Sequence, residues 1–292
     1  MRLEFATAAW MCLCVCSVNG AADEPISLRY RFEPGQVVRY SVSMRDDYKI
    51  QVGPASDEPY TEQESVKQYR VLSVNDDGSA RLELLLESAK LTVVNDGQKQ
   101  AFDSTANNNE NPAFAPLQNM LGKPHLQVTA STTGVLSDIK LLLDGSEKPN
   151  DISQSALDAF VALPQEPIAV GTSWREDLDV PVKVSETLSK TIKVQRRFHL
   201  LSVENDRATI QFETKILSPI NDPDEEIQLI RRPTRGTLLL DLKRGVMVSK
   251  VVTLDNTVTN FGGGPSVMTL KQRHVERLLE TKTAAAISDA GN

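Results

Sequence analysis

Residues able to transfer protons, attack carbonyls or hold metals are few in this sequence, and their spacing favours none of these reactions. Its three histidines, His125, His199 and His274, each lack a second His or Cys at ligand spacing. The acidic run Asn221-Asp222-Pro223-Asp224-Glu225-Glu226 offers carboxylate oxygens suited to calcium. It lacks the ordered alternation and the glycine of a calcium loop, so it reads as a solvated turn. Ser173 lies in Gly171-Thr-Ser-Trp-Arg175, which is not the Gly-x-Ser-x-Gly of a nucleophile elbow. A Ser/His/Asp set gathered from distant segments stays open, because a chain of this length contains the pieces. Gly262, Gly263 and Gly264 lack the Lys-Ser/Thr of a phosphate loop and read as a hairpin turn. Arg231, Arg232 and Arg235, like Arg196 and Arg197, read as solvated basic faces. No catalytic, cofactor-binding or metal residue is assigned, and no cofactor is expected.

Composition narrows the partners. The 292 residues carry 32 Lys+Arg against 39 Asp+Glu, a formal charge of −7. That sign gives no field to attract nucleic acid or an anionic lipid surface. Residues Phe5 to Val18 form an apolar run preceded by Arg2 and followed by the small residues Gly20, Ala21 and Ala22. The run is shorter than the roughly 20 residues a spanning helix needs. A charged start, a short apolar centre and a small-residue exit describe a signal peptide over residues 1–22. Cys12, Cys14 and Cys16, the three cysteines of the sequence, all fall inside it. The mature chain is therefore expected to be exported to a periplasmic or extracellular space, free of disulfides and without a transmembrane anchor.

The remaining chain reads as mainly β, built from antiparallel strands. Val38, Tyr40, Val42, Met44, Tyr48 and Ile50 alternate with Arg39, Ser41, Ser43, Arg45 and Lys49. Ala208, Ile210, Phe212 and Ile216 alternate with Thr209, Gln211, Glu213 and Lys215. Such alternation gives each strand one wet and one buried face. Val246, Val248, Val252, Leu254 and Val258 share a parity that Lys250 and Asn256 interrupt. Two short helices are predicted. One lies near 112–121, where Asn111 caps and Pro112 opens it; the other covers 151–163, where Ile152, Ala156, Leu157, Phe160 and Val161 form a stripe that Pro164 ends.

The sequence also repeats. Tyr69-Arg-Val-Leu-Ser-Val-Asn-Asp-Asp77 resembles Phe198-His-Leu-Leu-Ser-Val-Glu-Asn-Asp206, and Ala80-Arg-Leu-Glu-Leu84 matches Ala208-Thr-Ile-Gln-Phe212. Gly35 and Gly171 precede the two copies, and Gly134-Val135 and Gly245-Val246 follow them. The organisation expected is a first β-rich repeat over 23–150, a junction helix over 151–163, a second repeat over 164–280 and a disordered tail over 281–292. This gives either two similar curved sheets or one long half-barrel.

Two stretches, Phe32-Glu-Pro-Gly-Gln-Val-Val-Arg-Tyr40 and Leu163-Pro-Gln-Glu-Pro-Ile-Ala-Val-Gly-Thr-Ser-Trp174, resemble motifs of an uncharacterised family of bacterial secreted proteins, a domain of unknown function. The resemblance implies an exported β-rich protein and carries over no activity. More distantly the pattern is similar to the half-barrels of lipoprotein carriers, in which a curved sheet surrounds an apolar cavity. Tyr40, Gly35, Gly171 and Trp174 are read as structural anchors of the two repeats. The leading expectation is a non-catalytic exported protein that binds a lipid or other apolar ligand, or an envelope protein. A structural protein without a pocket and a hydrolase with a dispersed site are the alternatives.

Overall fold

The computed structural model describes residues 24–106, 111–142 and 160–282. Residues 1–22, Cys12, Cys14 and Cys16 among them, lie outside this range, as do 151–159 of the expected junction helix and 283–292 of the expected tail. In chain order the strands are β1 (Val37–Val52), β2 (Ala55–Asp57), β3 (Tyr60–Val74), β4 (Ala80–Asn95), β5 (Gln98–Asp103), β6 (Pro124–Ala130) and β7 (Leu136–Leu141). They continue as β8 (Ser173–Lys183), β9 (Ser189–Glu204), β10 (Arg207–Ile216), β11 (Arg235–Asp241), β12 (Val246–Thr259) and β13 (Ser266–Lys282). All the described strands join one antiparallel sheet ordered β7-β6-β4-β3-β1-β13-β12-β11-β10-β9-β8, with β2 on β1 and β5 on β4.

The sheet is curved and unclosed. One cluster gathers Val38 and Tyr40 from β1, Leu82 from β4, Leu126 and Val128 from β6, Phe198 and Leu200 from β9, and Leu238 from β11. Strands far apart in the order can share a core only if the sheet wraps round it. Two extended segments close this end. One runs through Leu28 and Tyr30 and the other through Phe160, Val161 and Leu163, all buried. Ile26 and Ile168 bridge the two segments through reciprocal backbone bonds of 2.8 and 3.0 Å. Phe160–Leu163, the described end of the expected junction helix, is a bend leading into extended chain. The tyrosine ring of Tyr30 meets Phe160 edge-on there, which an extended approach permits.

Both described helices are single short elements. Helix α1 (Ala115–Met120) follows a 3₁₀ turn at Pro112–Phe114 that Asn111 caps, as the sequence implied. Helix α2 (Pro223–Gln228) occupies the acidic run read as a solvated turn. Asp222 accepts from the Asp224 N–H, Pro223 takes the first helical position, and the acids of the first turn face the positive helix end. Strand β13 reaches Lys282, past the expected start of a disordered tail.

The duplication is visible in topology. Strands β1, β3, β4, β6 and β7 follow one another in the same spatial order as β8, β9, β10, β11 and β12. Each set carries its helix between the third and fourth strands. Gly35 N–H donates to Val71 O at 3.0 Å in the first set, and Gly171 N–H to Leu200 O at 2.8 Å in the second. Both glycines have positive φ, 73° and 86°, so the turn needs a residue without the Cβ penalty. β13 has no counterpart among the described strands. It pairs β1 along one side and β12 along the other, joining the two sets.

Candidate ligand-binding face

Alternation assigns the concave face. Tyr40, Val42, Met44, Asp46 and Tyr48 of β1 stand beside Leu278, Glu276, His274, Gln272 and Leu270 of β13. Beyond the closed end this face turns polar. The Glu276 carboxylate, 1% exposed, lies 3.0 Å from Lys250 Nζ, 2.9 Å from Lys67 Nζ and 2.8 Å from His274 Nε2. Burial by itself would raise its pKa. The charges of Lys250 and Lys67 and the bond to His274 override that and hold it well below the usual carboxylate range. Buried Asp46 lies 2.7 Å from the Arg231 guanidinium and accepts from Gln272 Nε2 at 2.7 Å. Arg231 also bonds the Tyr48 hydroxyl and is a strut across the face, where a solvated basic residue was expected. Arg196, read the same way, packs its guanidinium over Phe212, 5.8 Å from the ring centroid.

Past this belt the face is apolar again, in separate patches. Helix α1 and its 3₁₀ turn pack Phe114 and Leu117 with Phe102, Leu86 and Leu91. Helix α2 contributes Ile227 to a second patch, in which Ile230 meets Leu254, Val258 and Leu270. Leu229 joins Val180, Val182, Ile192 and Val194 in a third. Met44 is only half-buried on this face, as are Leu86 and Leu91 within the first patch and Leu84 and Val252 at the margin of the closed end's core. The arrangement suits a molecule with a long apolar part and a polar group that can lie against the belt.

The residues read from the sequence as anchors lie at the closed end. Tyr40 is fully buried, and its hydroxyl donates to Met247 O at 3.0 Å. Trp174 is half-buried, stacks on Phe198 with 5.3 Å between centroids, and donates Nε1–H to Ala162 O at 2.8 Å. Gly35 and Gly171 start the strands beside them. Of the polar belt, sequence reasoning named His274 and Arg231 singly and Lys250 as a break in an apolar parity, and it missed Lys67, Asp46 and Glu276.

The histidines do not converge. His125 sits on β6, and burial lowers its pKa. His199 Nδ1 meets Ser173 Oγ at 3.0 Å on the outward face, and among the described residues no carboxylate bonds the other ring nitrogen as a triad would require. Among the described residues no group of three or more His, Cys, Asp or Glu is placed to hold a metal ion, and no helix is long and apolar enough to cross a membrane. A hollow of about 480 Å³ lies on the outward face, over Ser41, Ser43, Val66, Ser88, Val275 and Arg277. It is separated from the concave face by the sheet itself.

No family model matches the chain, and no curated protein does. Among solved structures, one of lipid–protein interactions in lipovitellin is similar with a TM-score of 0.51 and 12% identity. The match covers 87% of this chain and 26% of the lipovitellin chain, so this chain spans about a quarter of that protein. The likeness is one of fold. DynF from the dynemicin biosynthesis pathway of Micromonospora chersina matches with a TM-score of 0.23 and 8% identity, covering 90% and 88% of the two chains. A DUF1329 family protein from Desulfovibrio piger matches at 0.14 and 11%, covering 86% and 88%. Scores of that size bear no weight.

Proposed function

We propose that the chain is an exported, non-catalytic binding protein that takes a lipid or similar amphiphile along its concave face. The observation that carries this reading is the discontinuity of that face: its apolar patches are separate and keep half-buried leucines at their margins, Met44 is half-buried beside a buried ionic belt, and the sheet does not close. A single sealed core would bury such residues completely. The shared fold with part of lipovitellin, a protein whose structure was solved for its lipid–protein interactions, supports the reading by analogy of architecture. Native mass spectrometry of the exported chain, with organic extraction, tests it, together with titration of a fluorescent long-chain fatty acid. Co-purifying lipid and saturable binding weakened by Met44→Glu are expected. A chain free of lipid that shows no saturable binding overturns it.

A further inference from the structure

The hollow on the outward face owes its depth to the short side chains of its floor. Arg277 of β13, Ser41 of β1, Val66 of β3 and Ser88 of β4 stand side by side in one row. One step further from the closed end the row is Val275, Ser43, Glu64 and Lys90. The serines and valines are short, and Arg273, Arg277, Lys90 and Thr105 stand around them. Every lining residue is a described one, and side-chain size alone sets the shape. The space left, about 480 Å³, is that of a small-molecule site, for which roughly 300–1,000 Å³ is usual.

The cations around this floor are of two kinds. Arg39 pairs with Glu87 at 2.8 Å, Arg45 with Asp47 at 2.8 Å, and Lys90 with Asp103 at 3.2 Å. The guanidinium groups of Arg273 and Arg277 have no carboxylate, hydrogen-bond or ring partner among the described residues. They share one face of β13 with Val275 between them, and both line the hollow, so one ligand can meet both. Across the floor, the Glu64 carboxylate and the hydroxyls of Ser43 and Ser88 are likewise without a partner among the described residues. Guanidinium groups bind phosphate and carboxylate oxygens through their N–H forks. Two of them, unopposed, carry the charge that a phosphate monoester dianion balances.

We propose that this hollow binds a small phosphate monoester with a hydroxylated body, of the sugar-phosphate class. Its phosphate lies against Arg273 and Arg277. Its hydroxyls exchange hydrogen bonds with Ser43 and Ser88, and one donates to Glu64. A hydroxylated body satisfies all three of these groups, whereas a single ammonium would satisfy Glu64 alone. A second acidic group at that end would face the Glu64 charge. The sheet separates this site from the concave face, so the inference does not rest on amphiphile binding.

Isothermal titration of the full chain with glucose 6-phosphate, inorganic phosphate, phosphoethanolamine and glucose tests it. The first control is the double variant Arg273→Gln/Arg277→Gln. Both side chains are exposed and bond no described residue, so its melting temperature should hold. Ser88→Leu, which fills the floor and keeps both arginines, is the second variant. Glucose 6-phosphate should bind with a Kd below about 1 mM, at least about ten-fold more tightly than inorganic phosphate or phosphoethanolamine. Glucose should not bind, and each variant should weaken glucose 6-phosphate by at least about ten-fold. Three results overturn the proposal: no saturable binding of glucose 6-phosphate, equal or tighter binding of inorganic phosphate or phosphoethanolamine, or unchanged affinity in the double arginine variant.

Discussion

Leu72 and Leu201 are the unpaired residues of equivalent β-bulges. In the first hairpin Val71 faces Leu82 and Ser73 faces Arg81, leaving Leu72 over; in the second Leu200 faces Ile210 and Ser202 faces Thr209, leaving Leu201 over. They are 40% and 43% exposed, large apolar residues turned outward by the extra residue. The bulge keeps Tyr69 and Val71, and likewise Phe198 and Leu200, on the concave face while Ala80 and Ala208, opposite Val74 and Val203 beyond it, stay buried too. A shared irregularity of this kind is stronger evidence of duplication than shared alternation, which any two hairpins show.

Substitution and deletion at these leucines should therefore differ. Leu201→Ser changes an exposed side chain and should shift stability by less than about 1 kcal/mol. Deleting Leu201 removes the bulge and turns one strand's buried set toward solvent, so it should unfold the second set. Equilibrium urea denaturation of the two variants separates the cases. Equal, small effects would show that the bulge carries no register.

The turn glycines should rank by what stands behind them. Gly171 has φ +86° with open space where a Cβ would lie, so Gly171→Ala meets backbone strain alone, about 1–2 kcal/mol. At Gly134, φ +83°, a Cβ would come 2.5 Å from Val161 O and 2.8 Å from the Tyr30 ring. Gly134→Ala must displace the segment that closes the core and should cost distinctly more, roughly 2–4 kcal/mol. Thermal melts of the two variants give the order. The reverse order would mean that the closing segment yields easily.

Much of this fold was legible because alternation and turn residues act locally. The strands around Tyr40 and Ile210, the capped turn at Asn111-Pro112 and the repeat all stand in the residues themselves. The signal that predicted α1 was equally present at Asp222-Pro223, but the acids that follow were read for their oxygens and not for their fit to a helix N-terminus. The ionic belt was hidden for another reason. Lys67, Asp46, Lys250 and Glu276 are far apart in sequence, and only the placement of β13 between β1 and β12 brings them together. Charge on a strand is normally read as solvent-facing, and the breaks at Lys250 and Asn256 indicated otherwise without naming partners.

Burial holds three phenols in their neutral form. Desolvation raises the pKa of Tyr30 and of Tyr40, with Tyr69 adding to the rise at Tyr40, and pushes Tyr69 up to about 12. The unfolded chain ionises these groups near the ordinary value of 10. Their folded pKa values lie above the unfolded ones, so the stability they carry is complete below that pH and is lost as pH rises beyond it. Ultraviolet titration of the folded chain should leave these three of its five tyrosines silent until a cooperative alkaline unfolding. Gradual ionisation of all five without unfolding would place the closed end in contact with solvent.

Glu276 sets the opposite limit. Its carboxylate faces two ammonium groups and His274 in a site almost without solvent, so loss of its charge leaves Lys250 buried against a neutral group. Glu276→Gln keeps the shape and should still cost about 3–5 kcal/mol, the usual penalty for breaking a buried pair from one side. The pH dependence follows from the direction of the shift. In the unfolded chain the group titrates near 4.5, and in the folded protein well below that. The stabilisation is therefore fully present above the ordinary carboxylate range. As pH falls, the unfolded chain takes up a proton that the folded protein refuses, and stability drains until the folded pKa is passed. Melting temperatures recorded downward from about pH 6 should thus fall more steeply for the wild type than for Glu276→Gln, which has no proton to take up there. Parallel curves would show that Glu276 is not the charge on which the belt depends, and would move that role to Asp46 and its pairing with Arg231.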